Sequence, residues 1–216
     1  MANPIEEVRG EKVVILFDAK KCIHSRQCVL GRPDVFVPNV DGEWIRPDAA
    51  SPEEIAALAL ECPSGAIRYA RVDGGPGEAP PIVNVARVRE NGPLAFRADL
   101  EIEGRESTFR ATLCRCGASK NKPYCDGSHT AVGFQATGEP ATAESQALPV
   151  RNGKVRLKLA KNGPLLLEGN LELVSGTGRT IHRVTKTALC RCGQSANKPY
   201  CDGTHNKIGF QSEDSV

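Results

Sequence analysis

Apolar and polar side chains alternate through much of the second half of the chain, with the two-residue period of a half-buried β-strand. Residues 94–102 (LAFRADLEI) and 154–160 (KVRLKLA) each place every second side chain on one apolar face. Residues 82–90, 108–113 and 165–174 are further predicted strands. Asn91-Gly92 and Asn162-Gly163 favour tight turns between consecutive strands. The pattern therefore predicts that this half is mostly β structure.

The first 72 residues mix strand and helix signals. Residues 12–18 form an apolar run typical of a buried strand, and residues 66–70 form a closing strand. Ser51, Pro52 and Glu54 predict a capped helix that runs to Glu61. Residues 35–40 and 43–46 predict a hairpin across Asp41-Gly42. Glycine and proline mark a linker at residues 73–81, and small polar residues mark another at 137–148. The fold class is α+β.

Charge and composition exclude some partners. The chain has 216 residues, 28 basic and 26 acidic, and a formal net charge of +2, which gives no electrostatic reason to expect binding to nucleic acid or to an anionic membrane. No apolar run has the length of a transmembrane helix, so we expect no membrane association. The nine cysteines are an odd number, and the N-terminal residues are polar rather than a secretion signal. We expect a cytoplasmic protein with reduced thiols that bind metal.

The cysteines of the second half belong to an internal duplication. Cys114, Cys116, Cys125 and His129 recur as Cys190, Cys192, Cys201 and His205, each shifted by 76 positions. Chance does not produce four equal shifts, so the two segments are repeats of one unit.

Spacing pairs the four residues of each repeat. Residues two apart in an extended segment share a face, so Cys114 and Cys116 present two thiols together. Asp126 is a good helix N-cap, and a helix beginning there brings Cys125 and His129 onto one face. Gly133 and Gly209 are predicted to end the two short helices in the left-handed conformation. Two facing pairs of ligands suit a binuclear iron–sulfur cluster, and they equally suit one tetrahedral zinc ion.

The complete motif resembles one family. The string Cys-x-Cys-x2-Ser-x3-Pro-x-Cys-Asp-Gly-Ser/Thr-His matches CDGSH iron–sulfur domains at every position in both repeats, with Ser119 and Ser195, and Pro123 and Pro199, at the inner positions. The resemblance implies one 2Fe-2S cluster per motif, held by three Cys and one His near the surface. It also implies that the domains at 80–138 and 148–213 pack as a pseudo-dimer about a twofold axis, so that the chain is a monomer.

The N-terminal residues 1–72 resemble divergent single-cluster ferredoxins. Cys22, Cys28 and the Cys62-Pro63 pair stand at ligand positions, whereas Ser25 replaces the expected second Cys of the run. The resemblance implies a ferredoxin-like domain with a 3Fe-4S cluster, or with a 4Fe-4S cluster whose extra ligand is Ser25, His24 or water. The alternative is a domain that has lost its cluster.

No catalytic triad, phosphate loop or paired carboxylates are recognisable, so we do not expect an enzyme. We expect an electron-transfer protein that meets a redox partner protein. The alternatives are a donor of clusters to an apo iron–sulfur acceptor, a redox or iron sensor, and a zinc-binding interaction module. Since imidazole is neutral, three Cys and one His leave a cluster less negative than four Cys, which raises its reduction potential.

Overall fold

The structure is a computed structural model that describes residues 5–212. The predicted domain limits 1–72 and 148–213 therefore extend slightly beyond the described residues. The chain divides into two compact units at residues 79 and 80. The structure is mostly β with few helices, and among residues 5–212 no helix is long and apolar enough to cross a membrane.

The first unit contains a three-stranded antiparallel sheet. Its strands are β1 (Glu6–Arg9), β2 (Val13–Phe17) and β3 (Ile67–Arg71), with β2 in the centre. Two helices follow β2, α1 (Gln27–Gly31) and α2 (Pro52–Glu61). The predicted strand at 12–18, the strand at 66–70 and the helix are thus confirmed to within a residue or two. The core consists of Val13, Ile15, Val35, Phe36, Ile45, Ile55, Ala59 and Ile67.

Helix α2 begins where the sequence predicts. The Ser51 hydroxyl accepts a hydrogen bond from the Glu54 amide, and the Glu54 carboxylate accepts one from the Ser51 amide at 2.9 Å. This reciprocal pair satisfies two amides that the first helical turn leaves without partners. Ile55 and Ala59 are buried on the inner face. Helix α2 therefore covers one side of the sheet.

The hairpin predicted across Asp41-Gly42 is wrong as a pair of strands. The two segments meet in a single bridge between Phe36 and Ile45. The amides of Val35 and Phe36 both donate to the Arg32 carbonyl, at 3.1 and 2.9 Å. A turn therefore occupies the start of the predicted first strand. The pairing at this bridge is made by the Val37 amide, which donates to the Trp44 carbonyl, and the Arg46 amide, which donates to the Val35 carbonyl, both at 2.8 Å.

The second unit contains six strands in one sheet. The first repeat supplies β4 (Val85–Val88), β5 (Leu94–Ile102) and β6 (Thr108–Leu113), and the second repeat supplies β7 (Lys154–Leu159), β8 (Leu165–Val174) and β9 (Thr180–Leu189). Within each repeat, consecutive strands pair antiparallel. The predicted alternation holds, since the side chains at every second position of β5 are buried, Leu94, Phe96, Ala98, Leu100 and Ile102.

The repeats pair with each other through parallel strands. β4 pairs with β8, and β5 pairs with β7, so β4 and β7 both lie between β5 and β8. Asn91 and Asn162 are 71 positions apart, and this offset converts the pair Val85 and Glu172 into the observed pair Arg156 and Glu101. The two parallel contacts are therefore the same contact made twice, with the roles of the repeats exchanged.

This exchange predicts that one repeat is incomplete alone. A fragment of residues 80–138 would expose the sides of β4 and β5 that pair with β8 and β7 in the chain. Exposed strand edges with free backbone donors and acceptors recruit other strands. We expect the fragment to dimerise or to aggregate, and the full chain to sediment as a monomer. A fragment that is folded and monomeric in analytical ultracentrifugation would contradict this dependence.

Candidate metal centres

The sheet places the first ligand pair at its edge. Cys114 directly follows β6, and its thiol lies 3.7 Å from the thiol of Cys116. The second repeat repeats this geometry after β9, with 3.8 Å between the thiols of Cys190 and Cys192. The predicted sharing of one face by residues two apart is thus observed in both repeats.

A returning segment places the second pair beside the first. The Cys114 amide donates to the Pro123 carbonyl at 2.8 Å, and the Cys125 amide donates to the Thr112 carbonyl at 2.9 Å. These bonds flank the bridge between Leu113 and Tyr124, which places Cys125 opposite Thr112 and close enough to Cys114 for their charges to interact. The Ser119 hydroxyl donates to the Tyr124 carbonyl at 2.6 Å and stabilises the return. Cys190, Cys201 and Ser195 make the equivalent bonds in the second repeat.

Each histidine faces its cysteine through one particular nitrogen. The Nδ1 atom of His129 lies 3.4 Å from the Cys125 sulfur, and Nδ1 of His205 lies 3.3 Å from the Cys201 sulfur. The histidines belong to short helices, α3 (Ser128–Ala131) and α4 (Thr204–Lys207). Nδ1 is therefore the nitrogen that could coordinate a metal ion in both repeats.

The helix N-cap differs from the prediction. Gly127, in the left-handed conformation with φ of 85°, is the N-cap of α3, whereas Asp126 precedes it. The Asp126 carboxylate accepts hydrogen bonds from the amides of Ser128 at 3.0 Å and Lys120 at 2.8 Å. Burial alone would raise the pKa of Asp126, but the hydrogen bonds from Ser128 and Lys120 outweigh burial and lower it. Asp126 thus joins two ligand loops instead of capping the helix.

The predicted helix ends are confirmed. Gly133 and Gly209 have φ of 61° and 63°. The next residue folds back in each repeat, with the Phe134 amide donating to the His129 carbonyl at 2.9 Å and the Phe210 amide to the His205 carbonyl at 3.0 Å. This is a glycine C-terminal motif, and it fixes the helix that carries the histidine.

Burial and hydrogen bonds shift the pKa values of these thiols in opposite directions. The hydrogen bond with Cys116 lowers the pKa of Cys114 to about 6, and the same bond raises the pKa of Cys116. Burial raises the pKa of Cys125 to about 11 and also raises that of Cys192. The thiols with raised pKa, among them Cys125 and Cys192, therefore keep protons that a bound cation would displace. Amides of Ala118 and Gly127 donate toward the sulfurs of Cys116 and Cys125, which supports their charged forms.

Two buried arginines were not anticipated from the sequence. Arg115 and Arg191 stand between the paired cysteines, and each is only 1% exposed. Arg115 donates to the carbonyls of Gly92 and Arg89 at 2.9 and 2.6 Å, and its guanidinium lies 5.4 Å from the Phe134 ring centre. Arg191 stacks in the same way on Phe210. In both repeats a phenylalanine follows this arginine at the same spacing, and that recurrence is the sequence signal that could have identified the two arginines.

The N-terminal cysteines line one cavity of about 450 Å³. Cys22 directly follows a short 3-10 helix, Cys28 belongs to α1, and Cys62 is the C-cap of α2. Burial raises the pKa of Cys22 and Cys28. The cavity also contains Ser25 and His24, so both predicted sources of an additional ligand lie in the same place.

Ser64 is a further cavity residue that the sequence did not single out. Its hydroxyl lies 3.6 Å from the Cys62 sulfur, and the side chain is buried. His24 and Arg26 have φ of 53° and 64°, so the loop between Cys22 and Cys28 is left-handed at two non-glycine residues. Such conformations are uncommon and concentrate at functional sites.

The donor atoms of the candidate sites are thiol sulfurs and imidazole nitrogens. Among residues 5–212, no three His, Cys, Asp or Glu side chains form a group that could hold a single metal ion. In the tandem repeats the candidate ligands come in pairs, as two adjacent irons require. In the first unit, three thiols surround a cavity. These donor sets fit iron–sulfur clusters, which bind through cysteine thiolates and sometimes histidine.

Comparison with known proteins agrees with this geometry. Residues 88–130 and 162–206 match the family described as iron-binding zinc finger CDGSH type, and residues 8–72 match the divergent 4Fe-4S mono-cluster family. The chain therefore contains two segments of the CDGSH type. This tandem CDGSH chain thus carries a divergent 4Fe-4S mono-cluster segment before its two repeats, and its domains indicate iron–sulfur cluster binding.

Individual relatives cover a smaller part of the CDGSH chain. "Uncharacterized protein YjdI" of Escherichia coli strain K12 is 36% identical over 61 residues, which is 28% of this chain and 78% of that protein. The protein of the same name from Escherichia coli O157:H7 has the same identity and coverage. No solved structure gives a significant match.

The histidine geometry predicts a loss of metal in acid. Metal and proton compete for Nδ1, so lowering the pH favours protonated histidine and metal release. Burial lowers the pKa of His129 below its ordinary value of 6.5, so that its neutral form is available at neutral pH and protonation begins only in more acidic solution. We expect the visible absorption of the loaded protein to bleach in mild acid and to persist at higher pH.

Replacement of the ligands sharpens this test. His129→Cys with His205→Cys should make the centres more resistant to acid and lower their reduction potentials, because a fourth thiolate adds negative charge. His182→Gln is a matched control, because His182 lies in β9 and contacts the Tyr200 hydroxyl instead of a ligand cysteine. pH and potentiometric titrations report both effects. Unchanged acid resistance and potentials in the double variant would exclude the two histidines as ligands.

Proposed function

We propose that this CDGSH chain is a one-electron carrier with two 2Fe-2S clusters and a third cluster, 3Fe-4S or 4Fe-4S, in its ferredoxin-like N-terminal domain. The observation that carries the proposal is the pairing of ligands, two thiols at 3.7 Å and a thiol–imidazole pair at 3.4 Å in the first repeat. A 2Fe-2S cluster needs two ligands on each of two irons. A zinc module would instead draw all four ligands around one ion.

Our proposal assigns the chain's residues distinct roles. The buried cysteines hold the metal and exclude water from it. His129 and His205 are only partly exposed. Their Nδ1 atoms supply a neutral ligand, so that each site carries less negative charge than four thiolates would give it. Bound clusters would supply reversible one-electron chemistry without making or breaking bonds in a substrate. On this account the chain is not an enzyme, and it acts with a redox partner protein in the cytoplasm.

The reciprocal strand pairing supports an internal pseudo-dimer. Each repeat fills the strand positions that the other leaves open. A chain that satisfies its own pairing surface has no need of a second copy. We infer that the chain is monomeric and presents two centres related by a pseudo-twofold axis.

A second candidate function is supported by the partly exposed histidines. Each proposed site has buried or half-buried thiols and one ligand that water and protons reach. Protonation of that ligand would open the site from one side, as a donor of clusters or a sensor requires. Both candidate functions start from the cluster-loaded protein. An electron carrier gives up an electron, whereas the second candidate gives up the cluster itself.

Metal analysis tests the bound state. Anaerobically purified chain should contain about four irons in the tandem repeats and about three or four more in the first unit, with matching sulfide and little zinc. Cys22→Ser with Cys62→Ser should remove only the iron of the first unit. Protein that carries zinc in place of iron would exclude the proposal. An iron content that is unchanged in the double variant would show that the first unit holds no cluster.

Kinetics separate the two candidate functions. Loaded chain is mixed with an apo-ferredoxin in one experiment and with a reduced flavoprotein reductase in another. An electron carrier should be reduced rapidly and reversibly while its iron stays bound. Faster appearance of the ferredoxin spectrum than reduction by the flavoprotein would favour the donor role and contradict electron transfer as the primary function.

A further inference from the structure

The two ligand loops of the tandem repeats touch each other. Gly117 directly follows the ligand Cys116, and Gly193 directly follows Cys192. A Cβ atom added to Gly117 would lie 2.7 Å from the carbonyl oxygen of Cys192. A Cβ atom added to Gly193 would lie 2.5 Å from the carbonyl oxygen of Cys116. Each glycine therefore packs on the backbone of a ligand cysteine in the other repeat.

Only glycine satisfies both requirements of these positions. Gly117 and Gly193 have φ of 82° and 81°, a conformation that side chains with a Cβ rarely adopt. The contacts leave no room for even one methyl group, because the opposing atoms belong to the backbone. Glycine at this point brings the two loops as close together as the backbone permits.

The contact connects one proposed metal site with the other. The path from the Cys116 sulfur to the Cys192 sulfur crosses the side chains of these two cysteines and the backbone around Gly117 and Gly193. Cys114, Cys190 and Cys192 are buried, so little water separates the sites. Charges interact more strongly in such an environment than in water, because the effective dielectric constant is lower.

Arg115 adds an electrostatic connection between the repeats. Its guanidinium is buried, and an arginine side chain stays charged at neutral pH. This charge interacts with Cys190, a ligand of the other repeat, and also with Glu90 and Cys116. A positive group of the first repeat thus favours negative charge at the second site.

We propose that Gly117 and Gly193 join the two metal sites of the tandem repeats into one coupled unit that holds two electrons. This inference rests on the proposed iron–sulfur function. With clusters bound, an electron added at one site would pass to the other through the Cys116 and Cys192 contacts. One site would be oxidised as the other is reduced, with no transfer of a proton and no bond made or broken. The second electron enters at a lower potential because it meets the charge of the first, and this effect is reciprocal.

Electron paramagnetic resonance of the full chain tests the coupling. The double variant Cys22→Ser with Cys62→Ser is used because it lacks the signal of the third centre. The loaded variant is then reduced stepwise with dithionite. We expect fully reduced protein to show a broadened or split signal that half-reduced protein lacks, and potentiometry to show two steps. A fully reduced spectrum that is twice the half-reduced spectrum, with a single step, would overturn the coupling while leaving the iron–sulfur function intact.

A substitution at the contact localises the effect. Gly117→Ala forces the two loops apart, so the splitting should fall and the two redox steps should converge. Gly104→Ala is the matched control, because Gly104 has a φ of 70° in the turn between β5 and β6 but no atom within 4 Å of an added Cβ. Its spectrum should be unchanged.

A second glycine variant covers the case in which the first one binds no iron. If Gly117→Ala binds no iron, Gly193→Ala tests the equivalent contact from the second repeat, and the native splitting still tests the coupling itself. Splitting that persists unchanged in both loaded glycine variants would show that the glycines do not cause it. Absence of iron–sulfur signals from the native chain would overturn the proposed function, and the coupling with it.

Discussion

The parallel pairing of strands from different repeats is the interaction on which the second unit depends. β4 with β8, and β5 with β7, form one central region in which each repeat completes the other. β6 and β9 then lie on the outer sides of β5 and β8, and both ligand motifs continue from their ends. The positions of the two sites, and the contact of Gly117 and Gly193 between them, follow from this arrangement.

The ligand loops combine buried thiols with local hydrogen bonds. Backbone amides support the sulfurs, the Asp126 carboxylate joins two loop segments, and carbonyl groups surround the Arg115 guanidinium. A buried cation is expensive unless its donors find acceptors, and several carbonyls together meet that need. Without metal, burial favours protonated thiols, so metal binding is coupled to proton release and stabilises the folded loops.

Much of this structure could be predicted from the sequence. The alternation in residues 94–102 predicted β5, and the residues at 51–54 predicted the start of α2, because both signals are local. The ligand pairs followed from spacing. The hairpin near Asp41 is limited to one bridge because the amides of Val35 and Phe36 donate to the Arg32 carbonyl in a turn. β1 was missed because Glu6–Arg9 is polar, and hydrogen bonding to β2 rather than burial forms this strand.

Long-range features had no comparable signal. A charged residue such as Arg115 is ordinarily exposed, and its burial depends on carbonyls of residues 89, 92, 136 and 137 that are distant in sequence. The contact of Gly117 with Cys192 requires knowledge of how the repeats pair. A motif predicts which residues form a site, whereas the relation of one site to another is set by the sheet.

Nitrogen hyperfine coupling tests the central claim most directly. Chain labelled with ¹⁵N-histidine is loaded anaerobically, reduced and measured by pulsed electron paramagnetic resonance, with His129→Cys and His205→Cys measured singly and together. The account predicts a strongly coupled histidine nitrogen at each tandem centre, which each single variant halves and the double variant abolishes. Reduced 2Fe-2S signals without any coupled histidine nitrogen, or a chain that holds zinc and gives no such signals, would contradict it.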